Sequence, residues 1–315
     1  MRKYFIIMLL FTFLLSACSE KRTNKEIFVD ALTSVMDLET YDITDLVDVS
    51  VELEKEPRAT TSNVYLDMLN NLDLKMNRKY RKEKDKIEYT YFIKGQVNPF
   101  QLDLTIPVLE DRKNNVAYMN IDSVVDNLGP ILGLTEDYKG KIVEMDISDV
   151  ASVVHQDINL KTFQQYLKDS ILQIIKEKGE DSFYNDGKHF YAVQLTKEDL
   201  KDLYFDIMLR VENDANPESA TTSEEILAFI ETEVNSMFEN FEVDKFKLIA
   251  KVDGEELQEI MLDADVSIQN IQIGEIKVSV AMKEIYNSLN KPVQFSIDPT
   301  TADLMPLEEF EDLIY

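Results

Sequence analysis

Ile87-Glu88-Tyr89-Thr90-Tyr91-Phe92-Ile93, followed by Phe100-Gln101-Leu102-Asp103-Leu104-Thr105-Ile106-Pro107-Val108, is the stretch on which the fold turns. In both runs apolar or aromatic residues occupy every second position. Successive side chains of a strand point to opposite faces, so each run has one apolar face and one wet face. That is the pattern of antiparallel sheet. Lys94-Gly95 and Asn98-Pro99 read as turn signals between the runs, and Lys113-Asn114-Asn115 as the turn after them. Upstream, the same alternation recurs at Val49, Val51 and Leu53, at Val64, Leu66 and Met68, and at Leu72, Leu74 and Met76. Downstream, Val116, Tyr118 and Ile121 close the group. The spacing predicts a meander over about 45–150.

Beyond this meander the period changes to that of helices. Thr23 with Glu26 forms a capping box ahead of Ile27, Phe28, Ala31, Leu32 and Val35. Short elements follow over 122–132 (helix, interrupted by Gly129-Pro130) and 142–147 (strand). Phe163, Leu167, Ile171, Ile174 and Ile175 mark a helix ending near Gly179. A hairpin turning at Asp186-Gly187 has its second arm over 190–195. Leu200, Leu203, Tyr204, Ile207, Met208 and Val211 form a helical stripe. A second capping box, Thr222 with Glu225, precedes another stripe from Ile226 to Phe238. The second meander, over 243–300, alternates at Phe246, Leu248, Ala250 and Val252, turns at Asp253-Gly254, and returns through 260–268 and 276–282. Residues 293–297 read as an edge strand, and 304–315 as an acidic tail.

The expected fold class is therefore α+β. A single domain over 25–315 would place one large curved antiparallel sheet beneath helices on its concave face. A chain of 315 residues can bury roughly three-quarters of its unfolded surface, so a core needs no crosslinks. The order helix, meander, helices, meander resembles the lipoprotein-carrier fold of LolA and the mycobacterial LppX/LprG lipoproteins. That resemblance implies a half-open barrel with helices plugging its concave side, where several members carry lipids.

The first residues carry a separate signal. Arg2 and Lys3 precede a run over 4–15 that is apolar apart from Thr12, and Leu15-Ser16-Ala17-Cys18 ends it. The run is shorter than the about 20 apolar residues of a spanning helix, and its basic, apolar, small-residue order is that of a secretory leader. The last four residues resemble the lipobox of bacterial lipoproteins. The resemblance implies a signal peptide over 1–17, removed on maturation, and diacylglycerol with acyl chains such as palmitate on Cys18. It also implies a lipidated tether over 18–24 and a place on the extracytoplasmic face of the cell membrane. Abundant Lys, Ile, Asn and Asp point to a Gram-positive surface.

Charge and scarcity narrow the functions. Lys and Arg total 33 against 60 Asp and Glu, a net charge of −27. Such a field repels phosphate backbones, which argues against nucleic acid as a partner. Cys18 is the only cysteine, so no disulfide can form within the chain. His155 and His189 lie far apart, and no metal site or cofactor motif is expected. A Gly-x-Ser-x-Gly elbow is missing, as is a Gly-rich phosphate loop. The expectation is a non-enzymatic protein.

Aromatic residues and methionines supply the remaining hint. Tyr89, Tyr91 and Tyr118 fall on the first meander, and Met208, Met237 and Phe238 on the helices expected to face it. These six are the candidate ligand-binding residues, with 197–241 as a lid over the sheet. The basic run 78–86 reads as a hairpin tip that could dock anionic headgroups. Asp37, Glu39, Asp42, Asp45 and Asp48 read as a solvated loop. Two functions fit: a lipid-anchored surface protein binding a hydrophobic or amphipathic ligand, or a sensor, immunity or assembly lipoprotein docking onto another envelope protein. A cavity of about 300 Å³ or more would separate them.

Overall fold

The computed structural model describes residues 22–36, 38–53, 70–97, 100–147, 160–185, 187–215, 224–270 and 274–314. Cys18, His155 and the run Val64, Leu66, Met68 lie outside these residues. The fold is α+β. Twelve strands form one open sheet in the order β12-β6-β5-β4-β3-β2-β1-β11-β10-β9-β8-β7. Every pairing is antiparallel except that of β12 with β6.

Helix α1 (Asn24–Ser34) begins at the anticipated box: the Thr23 hydroxyl accepts from the Glu26 N–H, and the Glu26 carboxylate accepts from the Thr23 N–H. Strands β1 (Thr40–Leu53), β2 (Leu72–Arg81), β3 (Lys86–Val97), β4 (Phe100–Asp111), β5 (Val116–Asn120) and β6 (Lys141–Asp146) form the first meander, with α2 (Asp122–Leu132) between the last two. Helix α3 (Leu160–Glu177) leads to β7 (Phe183–Asn185) and β8 (Phe190–Gln194). Helices α4 (Lys197–Ala215) and α5 (Glu224–Glu239) then precede β9 (Phe241–Asp253), β10 (Glu256–Asn270) and β11 (Gly274–Leu289). The chain closes with β12 (Asp303–Pro306) and α6 (Leu307–Ile314).

The two meanders join along β1 and β11, from Tyr41 opposite Leu289 to Leu53 opposite Ile276, with one register shift between Asp42 and Ile43. Cross-strand rows run over the whole sheet. One passes through Ile106, Tyr91, Met76, Asp45, Glu284, Ile260 and Ala250. Its face carries the main core: Phe28 and Ala31 of α1, Ile175 of α3, and Ile230, Val234 and Phe238 of α5 pack with Ile43, Ala250 and Val252. Burying a side chain such as Phe28 contributes about 1.5–3 kcal/mol. A smaller core lies at the β6 end, where Val124 and Val125 of α2 meet Val143, Met305 and Phe310. The third cluster, Leu109, Ile142 and Ile297, lies on the opposite face.

Several expectations are corrected. The acidic stretch is no loop from Thr40 onward: β1 begins there, and Asp45 is fully buried. Its carboxylate interrupts an otherwise regular alternation of Tyr41, Ile43, Val47 and Val49. Gly95 is no turn but an interior residue of β3, opposite Leu72. A Cβ there would lie 2.4 Å from the Asn71 carbonyl oxygen, so the glycine permits close backbone approach. Residues 293–297 form no strand. The N–H groups of Ser296 and Ile297 donate instead to the buried Glu88 carboxylate, at 2.6 and 3.0 Å. The acidic tail is structured: β12 pairs with β6 from Asp303 opposite Lys141 to Pro306 opposite Glu144.

Candidate functional site

A cavity of about 450 Å³ opens between the helix face of β1–β3 and the neighbouring helices. Its floor is made by cross-strand neighbours, Tyr41 facing Tyr80 and Arg78 facing Tyr89, with Met76 beside them. Its roof comes from the end of α1, with Val35 and Met36, and from Gln165, Leu167 and Lys168 of α3. Lys82 at the β2–β3 tip and Arg112 after β4 complete the wall. The two turns are tied together. Asp85 adopts a left-handed conformation (φ 46°), and its carbonyl accepts from the Arg112 N–H at 3.0 Å. This places the guanidinium beside the tyrosines.

Aromatic rings shape the floor. Tyr41 stacks on Tyr80 with centroids 5.2 Å apart, and Tyr89 on Tyr91 at 6.0 Å. Burial raises the pKa of the Tyr41 and Tyr89 hydroxyls above that of a free phenol. The Tyr89 oxygen accepts from Arg112 Nη2 at 3.2 Å, and Arg112 Nε donates to Glu110 at 3.3 Å. Burial opposes the charge on Arg112, but Tyr89 and Glu110 outweigh it and hold the group protonated.

Arg78 is held differently. Its Nε and Nη2 grip both Asp45 carboxylate oxygens at 2.6 and 2.7 Å, and Nη2 also donates to Glu284 at 2.7 Å. The Tyr286 hydroxyl donates to the second Glu284 oxygen at 2.9 Å. Such bidentate, charge-assisted geometry is the strong form of ion pair. Burial pushes the Asp45 pKa up, against the opposing pull of Arg78. The cluster anchors the cavity floor to the central seam.

The six candidate residues separate. Tyr89 lines the cavity, and Tyr91 stacks beside it while 38% exposed. Tyr118 is on the wrong face: Val108 pairs with Met119, so Tyr118 turns away and packs on Leu109, Ile142 and Ile297. Met208 is partly buried against the main core, and Phe238 is buried within it. Met237 is 57% exposed, because neighbouring residues on a helix point about 100° apart and Phe238 takes the inward direction. The lid is also corrected. None of the cavity's lining belongs to 197–241; α3 and the end of α1 cover it.

The basic tip is mostly spent within the fold. Arg78 holds Asp45 and Glu284, Lys79 approaches Glu88 at 3.6 Å, Lys86 holds Asp111 at 2.7 Å, and Arg81 donates to the Val293 carbonyl. Lys82 and Lys84 are exposed. Sequence reasoning missed Tyr41, Tyr80 and Arg112 as cavity residues. The period-two continuation of Val47 back through Ile43 to Tyr41 could have revealed the first. Nothing local marks Arg112, whose place depends on two turns meeting.

A second, open groove of about 700 Å³ crosses the central strands. Leu46, Ile249, Met261, Ala281 and Lys283 contribute to it from the face opposite the helices, as alternation requires. It has no aromatic side chain. Among the described residues, no three His, Cys, Asp or Glu gather as a metal site. None of the described helices is long and apolar enough to cross a membrane.

No protein-family model matches the chain, and no curated protein matches it. Among solved structures it is similar to lipovitellin, in a structure concerned with lipid–protein interactions, at 7% identity and a TM-score of 0.25. The match covers 84% of this chain and 26% of that one. So loose a likeness does not speak for a shared ligand or fold.

Proposed function

We propose that this chain is a lipid-anchored, extracytoplasmic, non-enzymatic protein that holds a hydrophobic or amphipathic ligand between sheet and helices. Its architecture would be a LolA/LppX-like half-open barrel. The cavity under α3 carries this reading. Its 450 Å³ lies within the about 300–1,000 Å³ of small-molecule sites. Its walls combine apolar side chains (Val35, Met36, Leu38, Met76, Ile87 and Leu167) with tyrosines and a cationic set, a lining suited to an amphipath. The anchor rests on the lipobox ending in Cys18.

Native mass spectrometry of the purified full chain tests the ligand. A co-purified amphipath is expected, lost in Leu167→Trp, which fills the cavity from α3. A bare protein mass in both forms would defeat the reading. The anchor is tested by growth with labelled palmitate: label is expected in the parent and not in Cys18→Ala. An unlabelled parent would refute it.

The docking alternative draws on one observation. Phe229 and Met237 of α5 are 62% and 57% exposed, the two most exposed large apolar side chains among the described residues. If an envelope protein covers them, Phe229→Asp with Met237→Asp will abolish a cross-linked complex in intact cells. No such complex in the parent would remove this alternative.

A further inference from the structure

We propose that the cavity selects a single-chain amphipath with an anionic head, and that Arg112 with the Tyr89 hydroxyl reads the charge. This rests on the ligand-binding reading above and deepens it.

The first observation is a reversal of charge. The chain has nearly two acids for each base. The cavity lining contains Arg78, Lys82, Arg112 and Lys168, and not one Asp or Glu. A purely apolar ligand needs no cations, and a cationic head would be repelled. An anionic head is drawn into this spot from an otherwise repulsive surface.

The second observation distinguishes the two arginines. Arg78 is neutralised by two carboxylates at 2.6–2.7 Å, so its charge is consumed by the fold. Arg112 is held loosely, at 3.3 Å from Glu110 and 3.2 Å from the Tyr89 oxygen. Its Nη1 donors have no partner among the described residues. A guanidinium with free donors suits a carboxylate or phosphate bidentately.

The third observation is the direction of the Tyr89 hydroxyl bond. Its oxygen accepts from Arg112, which leaves its own proton free to donate. An anion beside Arg112 would receive both a guanidinium and a phenol hydrogen bond. Lys82 and Lys168 add charge at the rim. Met76, Ile87, Leu167 and Val35 offer the tail an apolar slot. A volume of 450 Å³ is near the lower end of ligand pockets, which favours one acyl chain over two.

A carboxylate head would come from a free fatty acid, and a phosphate head from a lysophospholipid. Isothermal titration of the full chain with palmitate, palmitoyl lysophosphatidate and neutral monopalmitoylglycerol separates these. At least one anion should bind about tenfold or more tighter than the neutral amphipath, the scale of one charged hydrogen bond. The tighter anion identifies the source. Arg112→Gln should erase that preference, weakening the preferred anion at least about tenfold more than monopalmitoylglycerol. Lys82→Gln with Lys168→Gln, both at exposed or rim positions, should reduce the preference a few-fold, and decides the matter if Arg112→Gln does not fold. Equal binding of neutral and anionic amphipaths, or a preference untouched by these variants, would overturn the inference and leave the cavity reading intact. If none of the three binds, the cavity reading falls as well.

Discussion

The β9–β11 side of the sheet and the β1–β3 side use the same alternating strands for different ends. On the first, helix-face positions are Phe246, Leu248, Ala250 and Val252, and four helices close over them. Rings meet rings: Phe28 lies 5.8 Å from Phe183, and Phe238 5.2 Å from Phe241. On the second, the equivalent positions are Tyr41, Asp45, Arg78, Tyr80 and Tyr89. Here the roof is one helix and the end of another, and space remains. The pattern of apolar and polar residues builds the sheet in both places. Whether a region becomes core or pocket is decided by polar tips on its inward side chains, since each demands a partner and limits how tightly helices can close.

This contrast can be broken by measurement. Phe28→Ala should cost about 3–5 kcal/mol in urea unfolding, the usual loss for a buried ring. Leu167→Ala, at the half-open cavity roof, should cost less than about 1 kcal/mol. Equal losses would mean that the two sides are equally packed. Arg78→Met should cost about 3 kcal/mol, because it leaves the buried Asp45 carboxylate unpaired. Adding Asp45→Leu should restore at least half of that loss, and no recovery would show that the pair's charge is not the issue. Tyr89→Phe keeps the ring and removes one hydroxyl. It should cost about 1 kcal/mol or less and shift the ligand preference more than the stability.

The smallest effect is a pair of opposite pH slopes. Burial raises the pKa of Asp45, so its ionisation weighs against the folded state. Relative to Asp45→Asn, the parent should lose stability as pH rises from the ordinary carboxylate value through the higher folded one. Asp111 behaves inversely. Burial opposes its charge, but Lys86 and Asn114 outweigh it and lower its pKa. Its contribution is complete above the ordinary carboxylate value and disappears as pH falls through the folded one. Unfolding of the two Asn variants between pH 3 and 7, relative to the parent, should therefore diverge; parallel curves would contradict the assignment.

Much of this architecture is legible in the chain. The alternating rows at Ile87, Tyr89 and Ile93, at Leu104 and Ile106, and at Leu248 and Ala250 all land on the helix face, because pleating leaves a strand no other choice. Less legible is anything that depends on a distant partner. Asp45 looks like a loop residue until Arg78 stands beside it. The segment through Ser296 looks like a strand until Glu88 takes its N–H groups. Tyr118 and Tyr89 look equivalent until the Val108–Met119 register separates them. Tyr89 alone of the six candidate residues lines the cavity, since a pocket is made by whichever elements meet, and α3 and the Arg112 turn leave no local mark of doing so.

The seam between β1 and β11 has a consequence in time. Within each meander, strands pair with near neighbours in the chain. Along this seam, Tyr41 must find Leu289. In the described sheet no other ladder connects the two meanders. Each can therefore assemble early and fast from local contacts, while joining them requires closure of nearly the entire polypeptide, the slow kind of step in folding. Refolding should be governed by one late docking event, and a chain interrupted before β11 would lack the ladder that joins the halves and keep only the packing of α1 on the second one.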